Sequence, residues 1–169
     1  MKMGLDMYLF SAPKLEGMDL DDVFKVNSEL SRHEKEQNEI YEKLKPFIKH
    51  FEEYDRSWNS LMEEMAYWRK ANQIHNWFVE ILHNGVDEPC FTQEVTKENL
   101  QELYNQCVKV LTKSEHPSHI LPTRPGCFFG NLSYDDFYYN EIFETKSLLE
   151  ILLKHFNFES HYLLYQCSW

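Results

Sequence analysis

The residues with the greatest chemical potential lie in one short segment, YWRKANQIHNWF, at positions 67–78. Its guanidinium can hold an anion, its amides can donate and accept hydrogen bonds, and its indole rings can form apolar walls. Together these groups would suit a small binding pocket. The candidate binding residues of this segment are Trp68, Arg69, Asn72, Gln73, His75, Asn76 and Trp77.

If the segment is helical, it divides into an apolar side and a polar arc. Tyr67, Ile74 and Phe78 cluster on the apolar side. The polar arc collects Arg69, Asn72, Gln73, Asn76 and Glu80. Three interpretations stay open, because such an arc can face solvent, line a site or form a buried structural network. If Arg69 and Asn72 are functional, they lie opposite the buried side and we expect them to contribute little to folding.

A second candidate is the glycine-containing segment LPTRPGCFFGNLSYDDFYY, residues 121–139. Backbone amides at the start of a helix favour anions. Here Asp135 and Asp136 would already occupy that position, which argues against a phosphate site. The tyrosines that follow are more typical of packing than of recognition. From this segment we retain Gly130, Tyr134 and Asp135 as candidate binding residues.

Known catalytic motifs are missing from the sequence. It has no GxSxG elbow, no phosphate-binding GxxxxGK[ST] loop and no HExxH pair. His75 is more typical of a hydrogen-bonded core residue than of a catalytic base. Catalysis by Cys127 with His75, or metal binding by His75, Asp87 and Cys90, would need the fold to bring distant residues together. We therefore predict no catalytic residue, no metal and no cofactor.

These candidates are positioned by a single α+β domain of 169 residues. Strands are predicted at 5–11 and 161–169, and they share a small sheet packed against a layer of about four helices. Within 31–55 we predict a helical segment that protrudes from the core. The predicted helices are 19–26, 31–45, 60–83, 96–111 and 133–155. Pro46 should stop the second, and Thr96 and Ser133 should cap the last two. Residues 46–60 stay ambiguous.

The chain is acidic, with a formal net charge of −11. Direct binding to nucleic acid needs clustered Lys and Arg, so this charge argues against it. The charge would suit a basic protein partner, including a nucleic-acid-binding one, although it also serves solubility. The sequence contains no run of about 18 apolar residues that could span a membrane, and its start lacks signal-peptide features. We therefore expect a cytoplasmic protein.

Four motifs occur in order: MGLDMYLF near the start, YWRKANQIHNWF, LPT..G.FFG...YDDFYY, and YQCSW at the end. In these motifs, and over nearly its whole length, the chain resembles a family of small uncharacterised proteins of bacteriophages and bacteria. Cys127 and Cys167 stand where the family pattern has Phe and Ser, which weakens a catalytic role for either. The resemblance implies a phage-associated accessory protein, in the cytoplasm of a bacterial host, that binds host machinery such as a defence system.

Two functional hypotheses follow. The first is a non-enzymatic interaction protein that binds a host protein or complex and acts, for example, in counter-defence. The second is a small-molecule binder for a nucleotide or sugar-like ligand, or a weak hydrolase. A closed pocket lined by Arg69, Asn72 and Asn76 would favour the second hypothesis, and a flat acidic face would favour the first.

Overall fold

A computed structural model describes residues 4–31 and 39–169 of the chain. The described residues form a mixed α+β fold, as predicted. The elements in chain order are β1 (Asp6–Pro13), α1 (Leu20–Ser31), α2 (Glu39–Leu44), β2 (Lys49–Glu53), β3 (Arg56–Ser60), β4 (Glu63–Arg69), α3 (Asn72–Leu82), β5 (Thr92–Glu94), α4 (Lys97–Leu111), α5 (Pro117–Ile120), α6 (Asp136–His155) and β6 (His161–Ser168).

The main sheet contains four antiparallel strands in the order β4-β1-β6-β5. Its centre is the pair of terminal strands, which run side by side from Asp6 opposite Ser168 to Pro13 opposite His161. Alternation along a strand sends neighbouring side chains to opposite faces. One face carries fully buried side chains, including Met7, Leu9, Leu163, Tyr165 and Cys167. The prediction that the terminal strands share a sheet is confirmed.

The helices α3, α4 and α6 cover this buried face and form one hydrophobic core with it. Helix α4 begins at the predicted cap, where the Thr96 hydroxyl accepts a hydrogen bond from the Asn99 backbone amide. Helix α6 begins two residues later than the predicted cap, Ser133, because Asp135 accepts the hydrogen bond of the Tyr138 amide instead. None of the helices in the described ranges is long and apolar enough to cross a membrane.

The prediction of one helix over 60–83 is wrong. Residues Glu63–Arg69 form the edge strand β4, and the helix starts only at Asn72. Between them the chain turns at Lys70, whose φ of +62° a helix does not allow. The spacing of the apolar residues before position 69 is compatible with both a helix and a strand. Pairing with β1 makes this segment a strand. Arg69 and Asn72 therefore lie on different elements.

The predicted helical segment over 31–55 is also wrong in its second half. Helix α2 ends at Leu44, close to the stop expected from Pro46. Residues 49–60 then form the β2–β3 hairpin, in which Phe51 and Trp58 stack across the strands with their ring centroids 5.6 Å apart. The part of the predicted helix between residues 32 and 38 lies outside the described residues.

Candidate functional site

Asn72 is the first residue of α3, and its side chain is buried and not exposed. It joins α3 to another part of the chain through hydrogen bonds. Its amide nitrogen donates to the carbonyl oxygens of Phe129 at 3.1 Å and Asn131 at 2.9 Å. Its amide oxygen accepts from the backbone nitrogen of Arg124 at 3.1 Å. All of these partners lie in the segment that precedes α6. Asn72 thus fixes that segment against the start of α3.

His75, one turn further along α3, has no exposed surface. Its Nε2 lies 3.0 Å from the carboxylate of Asp87, which can only accept, so Nε2 carries the proton. Its Nδ1 then accepts from the hydroxyl of Tyr165 at 2.7 Å. Burial lowers the pKa of His75, against the opposing effect of Asp87, and burial raises the pKa of Tyr165. The imidazole is therefore neutral.

Arg124 extends this chain of hydrogen bonds toward the surface. Its Nε donates to the second oxygen of Asp87 at 2.9 Å, and its Nη1 donates to Asn76 at 2.8 Å and to Glu80 at 3.2 Å. The Asn76 amide donates in turn to the carbonyl of Pro122 at 3.3 Å. We call the following set the buried polar network: Asn72, His75, Asn76, Asp87, Arg124 and Tyr165.

The buried polar network is suited to holding structure and not to catalysis. His75 and Tyr165 have no exposed surface and bond to each other, so neither can touch a substrate. Both carboxylate oxygens of Asp87 are occupied. In the described part of the chain no group of three His, Cys, Asp or Glu residues could hold a metal ion. A satisfied network of this kind fixes a unique arrangement of the elements that it joins.

The structure separates the candidate residues of the 67–78 segment. Trp68 and Arg69 belong to β4, whereas Asn72, Gln73, His75, Asn76 and Trp77 belong to α3. The prediction that Arg69 and Asn72 share one arc opposite the core is wrong, because the segment before α6 covers the polar first turn of α3. Gln73 is buried as well, and its Nε2 has no hydrogen-bond partner among the described residues. Trp77 is in the core, as its position suggests.

The candidates Gly130, Tyr134 and Asp135 lie along the covering segment. Gly130 has a φ of +98°, and a Cβ there would stand 3.1 Å from the Cβ of Lys70, so glycine is required for this close approach. The Tyr134 ring packs edge-on against Tyr138. Asp135 caps α6. These residues position the start of α6.

Sequence reasoning missed Arg124 altogether and considered Asp87 only as a metal ligand. The available signal was an arginine between two prolines, in the run LPTRPG. The neighbouring prolines restrict the backbone of this connection, so the charged side chain is held in a defined position from which it can bind a partner. The partner itself, 37 residues away, could only be identified from the fold.

A cleft of about 550 Å³ lies between β4 and α6. We call it the edge groove, because β4 is the outermost strand of its sheet. One wall is the run of five consecutive residues from Ala66 to Lys70. The other wall is a stripe on α6, formed by Phe137, Glu141, Glu144 and Leu148. Trp68 joins the walls, since its indole nitrogen donates to the hydroxyl of Thr145 at 2.9 Å.

The edge groove contains charged groups that are not neutralised internally. Within the described residues, none of Glu141, Glu144 and Lys70 forms an ion pair. Partial burial and the nearby charge of Glu144 raise the pKa of Glu141. Phe137, at the end of the same stripe, has 51% of its surface exposed. The groove therefore combines apolar surface with charges that an incoming ligand could pair.

Removing the Asn72 side chain should destabilise the protein strongly. Asn72→Ala would leave two carbonyls and one backbone amide in a buried region without their partner, at a cost of about 3 kcal/mol. Asn140→Ala, on the exposed side of α6, is the matched control and should change stability little. Urea unfolding measures both. An Asn72→Ala variant as stable as Asn140→Ala would contradict the role assigned to this side chain.

The buried His75 should make the protein less stable in mild acid. The unfolded chain binds a proton at His75 near its ordinary pKa of about 6.5, while the folded protein, whose His75 pKa is lowered, does not. Stability attributable to His75 is thus complete above pH 6.5 and falls as the pH drops toward the folded pKa. Urea unfolding at pH 7.5 and pH 5.5 should show a larger loss for the wild type than for His75→Gln. Equal losses would refute a neutral, buried imidazole.

The buried polar network and the edge groove differ in kind although they are neighbours. The polar side chains of the network form hydrogen bonds with one another or with backbone groups of the protein. The groove is open and carries unpaired charges. No protein-family model, curated protein or solved structure matches the chain.

Proposed function

We propose that the protein is a non-enzymatic binding protein that holds a segment of another protein in the edge groove. The observation that carries this proposal is the location of the unpaired charges Glu141, Glu144 and Lys70. They surround exposed apolar surface at the open edge of a sheet. Charged groups without an ion-pair partner contribute little to the stability of the folded protein. They contribute more to the free energy of binding when a partner of complementary charge pairs with them.

Binding accounts for the geometry better than catalysis does. The histidine that could serve as a base is sealed inside the buried polar network. A small-molecule site built from Arg69, Asn72 and Asn76 loses two of its three residues, because the amides of Asn72 and Asn76 bond to the segment before α6. The edge groove is accessible, and it lies between a strand edge and a helix and carries charges of both signs. A strand edge and charges of both signs fit a polypeptide segment.

The overall charge and the family resemblance suggest where the partner originates. A net charge of −11 favours encounter with basic proteins, including those that bind nucleic acid. The resemblance to proteins of bacteriophages and bacteria suggests that the partner is a bacterial host protein, with a defence component as one such target. In this proposal the protein is an accessory factor that acts by occupying its partner and not by modifying it.

Affinity capture with matched variants tests the proposal. Immobilised wild type, Glu141→Lys/Glu144→Lys and Glu98→Lys/Glu102→Lys would be incubated with bacterial lysate, and bound proteins would be identified by mass spectrometry. The third protein is the control, since it carries the same charge change on the exposed face of α4. We expect a partner that the wild type and the control retain and the groove variant loses. Equal capture by all three, or capture by none, would contradict the proposal.

A further inference from the structure

We propose that the edge groove binds an extended peptide, which adds to β4 as a fifth strand and carries a basic side chain flanked by apolar side chains two residues away on either side. This inference rests on the proposed function and specifies the chemistry of the partner. It follows from the hydrogen-bonding pattern of β4 and from the order of side chains along α6.

The outer edge of β4 presents backbone groups that point away from the sheet. The amide of Lys70 donates to the carbonyl of Leu5 at 2.8 Å, which marks these residues as a hydrogen-bonded pair. In an antiparallel ladder such pairs alternate with non-bonded ones. With Asp6 opposite Arg69 and Tyr8 opposite Tyr67, the N–H and C=O groups of Arg69 and Tyr67 face outward. Outward-facing backbone groups are what an added strand pairs with.

The length of the open edge is limited by a bulge. The register of β1 against β4 shifts between Leu9 and Phe10, which face Ala66 and Glu64 and leave Met65 without a partner. A bulge bends the strand and interrupts regular pairing beyond it. The regular edge is therefore the four residues from Ala66 to Arg69, which line the groove together with Lys70. A ligand strand of about five residues would match it.

The helix wall sets the side chains that the ligand should carry. Phe137, Glu141, Glu144 and Leu148 follow one another at spacings of four, three and four residues. At 1.5 Å per residue, the midpoint of the two carboxylates lies about 8 Å along α6 from each apolar end. Two residues of an extended strand span about 6.7 Å, and their side chains point the same way. For a ligand strand that follows the stripe, a basic side chain between the carboxylates therefore places an apolar side chain near Phe137 and another near Leu148.

The order apolar–acidic–acidic–apolar reads the same from both ends of the stripe. The preferred ligand pattern, an apolar residue, any residue, Arg or Lys, any residue and an apolar residue, is symmetrical for the same reason. Arginine should bind better than lysine, because its planar fork can donate to two carboxylates at once. The requirement therefore holds whether the peptide runs parallel or antiparallel to β4.

Bulges and charges also occur on edge strands that must stay unpaired. In that case Glu63, Glu64 and Arg69 would only protect β4 from aggregation, and no peptide of the stated pattern would bind. A second copy of the chain, pairing β4 with β4, is another way to cover the edge. Both alternatives give distinct results in the experiment below.

The probe is the peptide Thr-Val-Thr-Arg-Thr-Val-Thr-amide with carboxyfluorescein on its N-terminal amine, compared by fluorescence anisotropy with the same labelled peptide carrying Glu in place of Arg. We expect the Arg peptide to bind the wild type about tenfold more tightly than the Glu peptide. The preference should disappear in Glu141→Gln/Glu144→Gln and persist in the control Glu98→Gln/Glu102→Gln. Equal binding of the two peptides, binding of neither, or a wild type that sediments as a dimer and binds neither would overturn the inference.

Backbone methylation tests strand addition separately from charge. N-methyl groups would be placed on the two Val residues and the Arg, or on the three Thr residues between and after them. A strand directs alternate N–H groups toward its neighbour, so one of these sets should abolish binding and the other should be tolerated. Equal effects of both sets would exclude strand addition. If the groove captures a lysate partner but not the Arg peptide, the inference about the ligand fails while the proposed function stands.

Discussion

The arrangement of this fold depends on a buried line of hydrogen bonds that runs from Tyr165 through His75 and Asp87 to Arg124. It joins the central strand β6, the helix α3, the loop after α3 and the segment before α6. Tyr165 and His75 are fully buried, and the side chains of Asp87 and Arg124 are 15% and 20% exposed. Breaking a bond at the buried end would leave its partner unsatisfied in a medium of low dielectric. Apolar packing brings these elements together, but this line determines which loop lies over α3.

The edge groove is a consequence of that arrangement. The segment before α6 is held by Asn72 and Arg124, and Gly130 within it rests against Lys70 at the end of β4. Helix α6 starts directly afterwards at Asp136, so this segment sets the position of its N-terminal end beside the edge strand. The bond from Trp68 to Thr145 fixes the spacing between strand and helix further along. A closed, buried network thus positions an open groove that it does not itself line.

The sequence correctly predicted those elements whose residue pattern is compatible with only one type of secondary structure or one boundary. The terminal strands, the cap at Thr96 and the end of α6 at His155 are of this kind. The boundary between β4 and α3 was not predictable, since its apolar residues fit two periods and only pairing with β1 separates them. Asn72, His75 and Asn76 were predicted as candidate binding residues, and in the structure they form hydrogen bonds within the protein. Whether they are exposed depended on a segment some 50 residues away, which no local pattern reveals.

Amide hydrogen exchange, followed by NMR with and without the Arg peptide, tests the central claim most directly. In the free protein the amides of Tyr67 and Arg69 should exchange quickly, and those of Trp68 and Lys70 slowly, since only the latter pair with β1. Bound peptide should slow Tyr67 and Arg69 specifically. Protection that appears instead at β5 on the other edge of the sheet, or unchanged exchange at Tyr67 and Arg69 while the peptide is bound, would contradict the account.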